Sequence, residues 1–136
     1  MPPATLRDPA SAGLRAIAPQ RREALLETAR AAGLRCARID LGGCRDKAAF
    51  LSRTAAALEF PACFGQNWDA LADCLADLEW LPAEGYLLLL EQAADLRDAA
   101  PEDYRMATGI LADTVETWRA LGIPFWVFIA DEKDHT

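Results

Sequence analysis

The sequence GYLLLLEQ, residues 85–92, contains a near-continuous apolar run that is too short for most helices. Such a run predicts a β-strand that is covered on both faces, as the strands of a parallel sheet are. A second segment, PFWVFIA at residues 124–130, gives the strongest strand signal in the chain. Two strands this apolar predict a sheet with helices packed against both of its faces.

Helical and strand-like patterns alternate along the rest of the chain. Capping residues, apolar periodicity and Gly or Pro breaks give the boundaries. The predicted elements are, in order, strand 13–17, helix 19–32, strand 34–41, helix 46–58, helix 67–81, strand 85–92, a helical turn around Leu96, helix 101–122 and strand 124–130. This alternation predicts an α/β fold with a small parallel β-sheet of three to four strands and flanking helices. Residues 1–11 are rich in Pro and Ala, and we expect them to be loosely ordered.

Length, composition and charge narrow the function classes. The chain has 136 residues, of which 52% are apolar and 26% charged, and these values fit one globular domain over residues 1–136. A formal net charge of −7 argues against a nucleic-acid binder and against attraction to an anionic membrane. No stretch has the length of a membrane span, and no signal-peptide run is visible near the start. We therefore expect a cytoplasmic protein that binds neither nucleic acid nor membrane.

The four cysteines stand at positions 36, 44, 63 and 74, and the only histidine is His135. No pair forms C-x-x-C, so a zinc site of ordinary spacing is not expected, and no other cofactor is indicated. Two disulfides remain open by number alone. The predicted compartment favours reduced thiols, mostly buried.

Acidic residues are concentrated in one part of the chain. Residues 54–96 hold eight acids and no Lys, Arg or His. Within them, Asp69, Asp73 and Asp77 recur every four residues on one face of a helix that Asn67 is predicted to cap. Each like-charge pair at this spacing costs about 0.2–0.5 kcal/mol. The stripe is therefore either the solvated face of an acidic protein or an anionic surface for a cationic partner.

The stretch FGQNWDALADCLADLEWLP, residues 64–82, resembles the signature of the barstar family, inhibitors of barnase-like secreted ribonucleases. The resemblance covers roughly residues 34–130, and residues 1–33 look like the extra strand and helix of longer members. It implies a barstar-like fold in a single domain. It also implies a one-to-one complex in which the acidic helix and the loop before it occlude the cationic active site of a ribonuclease.

The resemblance also implies site residues. Asp69 and Asp73 match the two helix carboxylates that pair with the partner's Arg or Lys side chains, and Gly65 and Asn67 match the turn and cap that present the helix. Several contact positions differ from the family pattern: aromatic residues are replaced at Cys63, Ala72 and Leu78, a carboxylate contact falls on Thr117 beside Glu116, and another falls on Leu121. The predicted partner-binding residues are Cys63, Phe64, Gly65, Asn67, Asp69, Ala72, Asp73, Ala76, Asp77 and Thr117, and Trp80 is a further candidate for the rim.

Two alternatives remain open. The same surface would suit an acidic immunity or binding protein whose cationic partner is a toxin of another class, because a fold does not fix a function. Asp69 and Asp73 also form D-x-x-x-D, which could hold Mg²⁺ in an enzyme. No phosphate-binding loop or Cys–His pair accompanies these carboxylates, so no catalytic residue is predicted.

Overall fold

Four parallel strands form the centre of the protein in a computed structural model that describes residues 1–61 and 65–130. Their order across the sheet is β1-β4-β3-β2. The strands are β1 (Leu14–Ile17), β2 (Arg35–Asp40), β3 (Tyr86–Glu91) and β4 (Phe125–Ala130). The α/β class and the small parallel sheet that the sequence predicts are thereby confirmed.

Six α-helices flank the sheet in the described part of the chain, and a 3₁₀ turn at Pro19–Arg21 leads into the second of them. They are α1 (Pro3–Leu6), α2 (Arg22–Ala31), α3 (Lys47–Ala57), α4 (Trp68–Asp77), α5 (Ala94–Ala99) and α6 (Pro101–Ala120). Local signals account for most boundaries. The side chain of Asp46, for example, accepts a hydrogen bond from the Ala49 N–H and so caps α3.

Helix α4 is shorter than the predicted helix 67–81. It ends at Asp77 because the backbone of Leu78 adopts a left-handed conformation with φ 49°, which residues other than Gly rarely adopt. The Leu78 side chain is only 1% exposed, so burial of this leucine offsets the backbone strain. Neither Gly nor Asn stands at this position, so no helix stop signal could be recognised there. Leu78, one of the positions where this chain replaces an aromatic contact residue of the family, belongs to the core.

The two faces of the sheet are covered by different helices. On one face the Tyr86 ring lies 5.2 Å from Trp118 of α6 and 5.6 Å from Phe125. Consecutive strand residues point to opposite faces, so Trp126 lies on the other one, stacked on Phe128 at 5.6 Å. All of β4 is buried, as the apolar pattern of 124–130 predicts.

Residues 1–11 are better ordered than their composition predicts. They contain α1, and the carbonyl of the fully buried Leu6 accepts a hydrogen bond of 2.8 Å from Trp126 Nε1. Arg119 of α6 donates to the carbonyls of Pro9 and Ala12. A buried indole N–H needs an acceptor, and a segment 120 residues away supplies it. The expectation of a loose N-terminus was therefore wrong, because these contacts are not local.

Cys44 is buried, whereas Cys36 and Cys74 are partly exposed, and no disulfide joins the three. Burial raises the pKa of the Cys36 and Cys44 thiols, which lowers their reactivity. The expectation of mostly buried thiols thus holds for Cys44, while Cys63 lies outside the described residues. None of the helices within residues 1–61 and 65–130 combines the length and the apolar character that crossing a bilayer requires.

Candidate functional site

Helix α4 is positioned by its first residues and by its buried face. Asn67 caps it, since the side-chain oxygen accepts a hydrogen bond of 2.7 Å from the Ala70 N–H. The Asn67 amide also donates to the carbonyl of Gly65, so the turn and the cap act together. Leu71 and Leu75 are fully buried and fix the rotation of the helix. The cap predicted at Asn67 is confirmed, and the geometry presents the opposite face of α4 outward.

Replacing Asn67 by alanine is expected to lower the free energy of unfolding by about 1 kcal/mol, because the first turn of α4 loses its side-chain acceptor. Urea unfolding followed by circular dichroism measures this change. Asn67→Ser keeps an acceptor and should recover most of the loss. Equal urea midpoints for the Ala variant and the wild type would show that the cap does not contribute to the free energy of unfolding.

The outward face of α4 carries Asp69, Asp73 and Asp77, all exposed as predicted. Among the described residues, none of the three aspartates forms an ion pair or a side-chain hydrogen bond. Asp69 lies in the first turn, where the helix dipole favours an anion, whereas Asp77 is the last helical residue, where the dipole disfavours one. The helix therefore presents three carboxylates that form no ion pair within the described part of the chain.

Many acids elsewhere in the described structure have partners. Glu91 accepts from Arg38 at 2.9 Å and lies 3.1 Å from Arg22, and Glu102 pairs with Arg105. Others serve the backbone, as Asp46 does in capping α3. The contrast shows that the protein can pair its acids, whereas the three aspartates of α4 form no ion pair among the described residues, although Lys47 lines the same groove as Asp69.

The other predicted contact residues divide into two groups. Ala72 and Ala76 are exposed on α4, next to the aspartates, and Gly65 is exposed in the turn before it. Thr117 is exposed on α6, and its hydroxyl donates to the carbonyl of Asp113. The exposed residues Gly65, Ala72, Ala76 and Thr117 are accessible to a partner, whereas Cys63 and Phe64 lie outside the described residues.

Helices α4 and α6 pack side by side, which brings Thr117 toward the acidic helix. Trp118 Nε1 donates a buried hydrogen bond of 2.8 Å to the carbonyl of Leu75. Ile110 and Met106 line a shared groove with Asp69 and Ala72. Thr117 follows Ile110 by seven residues, so it lies on the same side of α6. The structure thus unites α4 and one side of α6 in a single outward surface.

The rim candidate Trp80 makes structural contacts of its own, and two residues of α6 beside α4 were not predicted. Trp80 donates from Nε1 to the carbonyl of Leu58 at 3.0 Å and packs edge-on against Phe60, so its ring holds the end of α3 to the turn after α4. Met106 is 49% exposed and lines the groove beside α4 together with Ile110. Their spacing of four residues was a signal of a shared face, but the sequence does not show which face of α6 meets solvent.

The alternative of a magnesium enzyme gains no support from the geometry. Asp69 and Asp73 are two carboxylates one helical turn apart. Within residues 1–61 and 65–130, no group of three or more His, Cys, Asp or Glu side chains converges on a point. A protein site for Mg²⁺ built on one or two carboxylates also relies on substrate phosphates or waters for its remaining ligands. The exposed stripe is better suited to pairing with cationic side chains.

Comparison with known proteins agrees with the sequence motif. A family model described as Barstar (barnase inhibitor) matches residues 34–130, from the start of β2 to the end of β4. The match includes α4 and α6, which form the outward surface, and leaves α1, β1 and α2 outside. A search of curated proteins finds no match. Because the family model covers well over half of the chain, the protein belongs to the barstar (barnase inhibitor) family.

Proposed function

We propose that this protein inhibits a barnase-like ribonuclease by covering its active site with α4 and the residues before it, in a one-to-one complex. The observation that carries the proposal is the stripe of three exposed aspartates on α4, which have no cationic partner among the described residues. A ribonuclease holds the phosphates of RNA with cationic side chains, and carboxylates can occupy the same positions through charge-assisted hydrogen bonds.

The three aspartates have different roles in this proposal. Asp73 lies in the middle of the exposed stripe and inserts among the partner's Arg or Lys side chains. Asp69, one turn earlier, supports it from the first turn of α4. Asp77 has no counterpart in the family motif and widens the anionic surface toward the C-terminal end of the helix, where a partner cation would also relieve its unfavourable position relative to the dipole.

Inhibition by occlusion requires no chemistry from the inhibitor, but it requires a rigid surface. Helix α4 is held to α6 by the buried hydrogen bond from Trp118 to the Leu75 carbonyl, and α6 is held to the sheet by the ring contacts of Trp118. The carboxylates are therefore presented on a preorganised helix, so little conformational entropy is lost on binding. The ribonuclease active site is then closed to RNA.

The test is an RNA cleavage assay with a barnase-type ribonuclease, titrated with the purified protein, together with a pull-down. We expect stoichiometric loss of cleavage and recovery of a one-to-one complex by size-exclusion chromatography. Failure to bind or inhibit any ribonuclease of that type would overturn the proposal. Binding to a cationic toxin that is not a nuclease would instead favour the alternative of an immunity protein of another class.

The association rate should depend strongly on salt, because exposed charges steer the encounter and are screened by ions. Raising the ionic strength from about 0.05 to about 0.5 M is expected to lower kon at least about tenfold. Stopped-flow fluorescence with the ribonuclease measures kon directly. The triple variant Asp69→Asn, Asp73→Asn, Asp77→Asn is the control and should lose most of the salt dependence. A kon that is equal at both salt concentrations would argue against electrostatic steering by α4.

A further inference from the structure

A groove of about 430 Å³ runs between α4 and α6, immediately beside the acidic stripe. We call it the α4–α6 groove and define it by the residues that line it: Lys47 at the start of α3, Asn67, Trp68, Asp69, Ala72, Met106 and Ile110. Asp69 and Ala72 belong to both the groove and the outward face of α4. The groove is therefore continuous with the surface that the proposed function assigns to the ribonuclease.

The floor of the groove is apolar and open to solvent. Met106 is 49% exposed, and it is one of only three large apolar side chains exposed in the described part of the chain. A single exposed methionine would need no explanation. Here Met106 and the half-buried Ile110 are one helical turn apart and face the small side chain of Ala72 and the half-buried ring of Trp68. Together they form a continuous apolar strip rather than an isolated exposed residue.

Ala72, which is exposed and lines the groove, carries only a methyl group, and the strip is open to solvent beside it. A second depression of about 280 Å³ lies on α6 and shares Met106 and Ile110 with the groove. Glu102, Arg105 and Asp113 line this second depression, and Lys47 and Asp69 line the first. The apolar strip thus lies between charged side chains of both signs, an arrangement with an apolar centre and a polar rim that is typical of the anchor position in a protein interface.

On the basis of the proposed function, we propose that the α4–α6 groove receives a bulky apolar side chain of the ribonuclease, located beside that enzyme's cationic active site. The acidic stripe attracts any cationic nuclease site over a distance. The groove acts only at contact, because burial of apolar surface requires a side chain that fits the space between Ala72, Met106 and Ile110. The groove therefore determines which ribonuclease is held, and it acts on koff rather than on kon.

The test uses the full protein and a barnase-type ribonuclease that the wild type inhibits. Met106→Gln keeps the length of the side chain but makes it polar, and we expect Kd to rise about tenfold through koff, with kon unchanged. Met106→Leu keeps the apolar volume and is the matched control, expected to bind within about twofold of the wild type. Thermal unfolding of both variants should match the wild type, because Met106 is half exposed.

The outcomes separate this inference from the proposed function. Unchanged koff in Met106→Gln, with inhibition still lost in Asp73→Ala, would overturn the groove inference and leave the proposed function in place. Equal losses in Met106→Gln and Met106→Leu would also overturn it, because the effect would then not follow the apolar character of the side chain. A wild type that inhibits no barnase-type ribonuclease would overturn both.

Discussion

Replacing Asp73 by alanine is expected to weaken inhibition of the ribonuclease about 100-fold or more without weakening the fold. In the proposed complex the Asp73 carboxylate is withdrawn from water and neutralised by the partner's cations. Removing one member of such a buried pair costs roughly 3–5 kcal/mol, because the remaining charges stay buried without compensation. The inhibition constant from RNA cleavage assays, and koff from surface binding, measure the effect.

The same substitution should leave stability equal or slightly higher. In the free protein Asp73 is exposed and lies one turn from both Asp69 and Asp77, so two like-charge pairs disappear. Alanine is also the better helix former. Together these terms give a gain of about 1 kcal/mol or less. A variant that unfolds at an equal or higher urea concentration but no longer inhibits has lost a contact with the partner, not its structure.

Glu84→Ala is the matched control for this substitution. Glu84 is exposed and carries the same charge, but it lies in the turn before β3 rather than on α4. Its removal changes the net charge as Asp73→Ala does, so both variants lose a similar amount of long-range attraction. We expect Glu84→Ala to inhibit within about threefold of the wild type. Full inhibition by Asp73→Ala would contradict the proposed mechanism while leaving ribonuclease inhibition itself in place.

Features with local causes could be predicted from the sequence. The apolar runs at 85–92 and 124–130 became buried strands because no other element of that length hides so many apolar side chains. The Asn67 cap needed only a hydrogen bond to a backbone N–H three residues away. The exposed aspartates of α4 followed from helical periodicity once the buried face was known. In each case the deciding interaction lies within a few residues of the signal.

Features that depend on distant contacts could not be predicted. Leu78 ends α4 because its side chain is buried while its backbone adopts a left-handed conformation. A leucine at this position does not by itself predict such an ending. The ordered N-terminus depends on Trp126, and the groove beside α4 depends on how α6 is rotated against it.

Removing residues 1–33 is expected to prevent stable folding, even though the family match begins at residue 34. These residues supply β1 and α2, and Leu6 accepts the hydrogen bond of the buried Trp126. Without them, Trp126 and Phe128 on the same face of the sheet would meet water. The other strand residues on that face include Leu87 and Leu89, which pair in register with Trp126 and Phe128. Burial of each such side chain contributes about 1.5–3 kcal/mol, so the combined loss is comparable with the whole stability of a domain.

The truncated chain would also expose the outer edge of β4, which β1 pairs with in the full protein, and an apolar edge strand promotes aggregation. A point variant tests the same contact without a truncation. Leu6→Asp places a charge at a fully buried position and should lower the free energy of unfolding by at least about 3 kcal/mol, whereas Ala10→Asp, at an exposed position of the same segment, should change it by less than about 0.5 kcal/mol. Urea unfolding followed by tryptophan fluorescence compares the two variants.

If residues 34–136 alone unfold cooperatively with the same urea midpoint as the wild type, the N-terminal segment is not part of the folding unit, and the domain is the family core alone. We expect instead that the fragment is aggregated or unfolded, because β4 is apolar on both faces and the N-terminal segment packs on the face that carries Trp126.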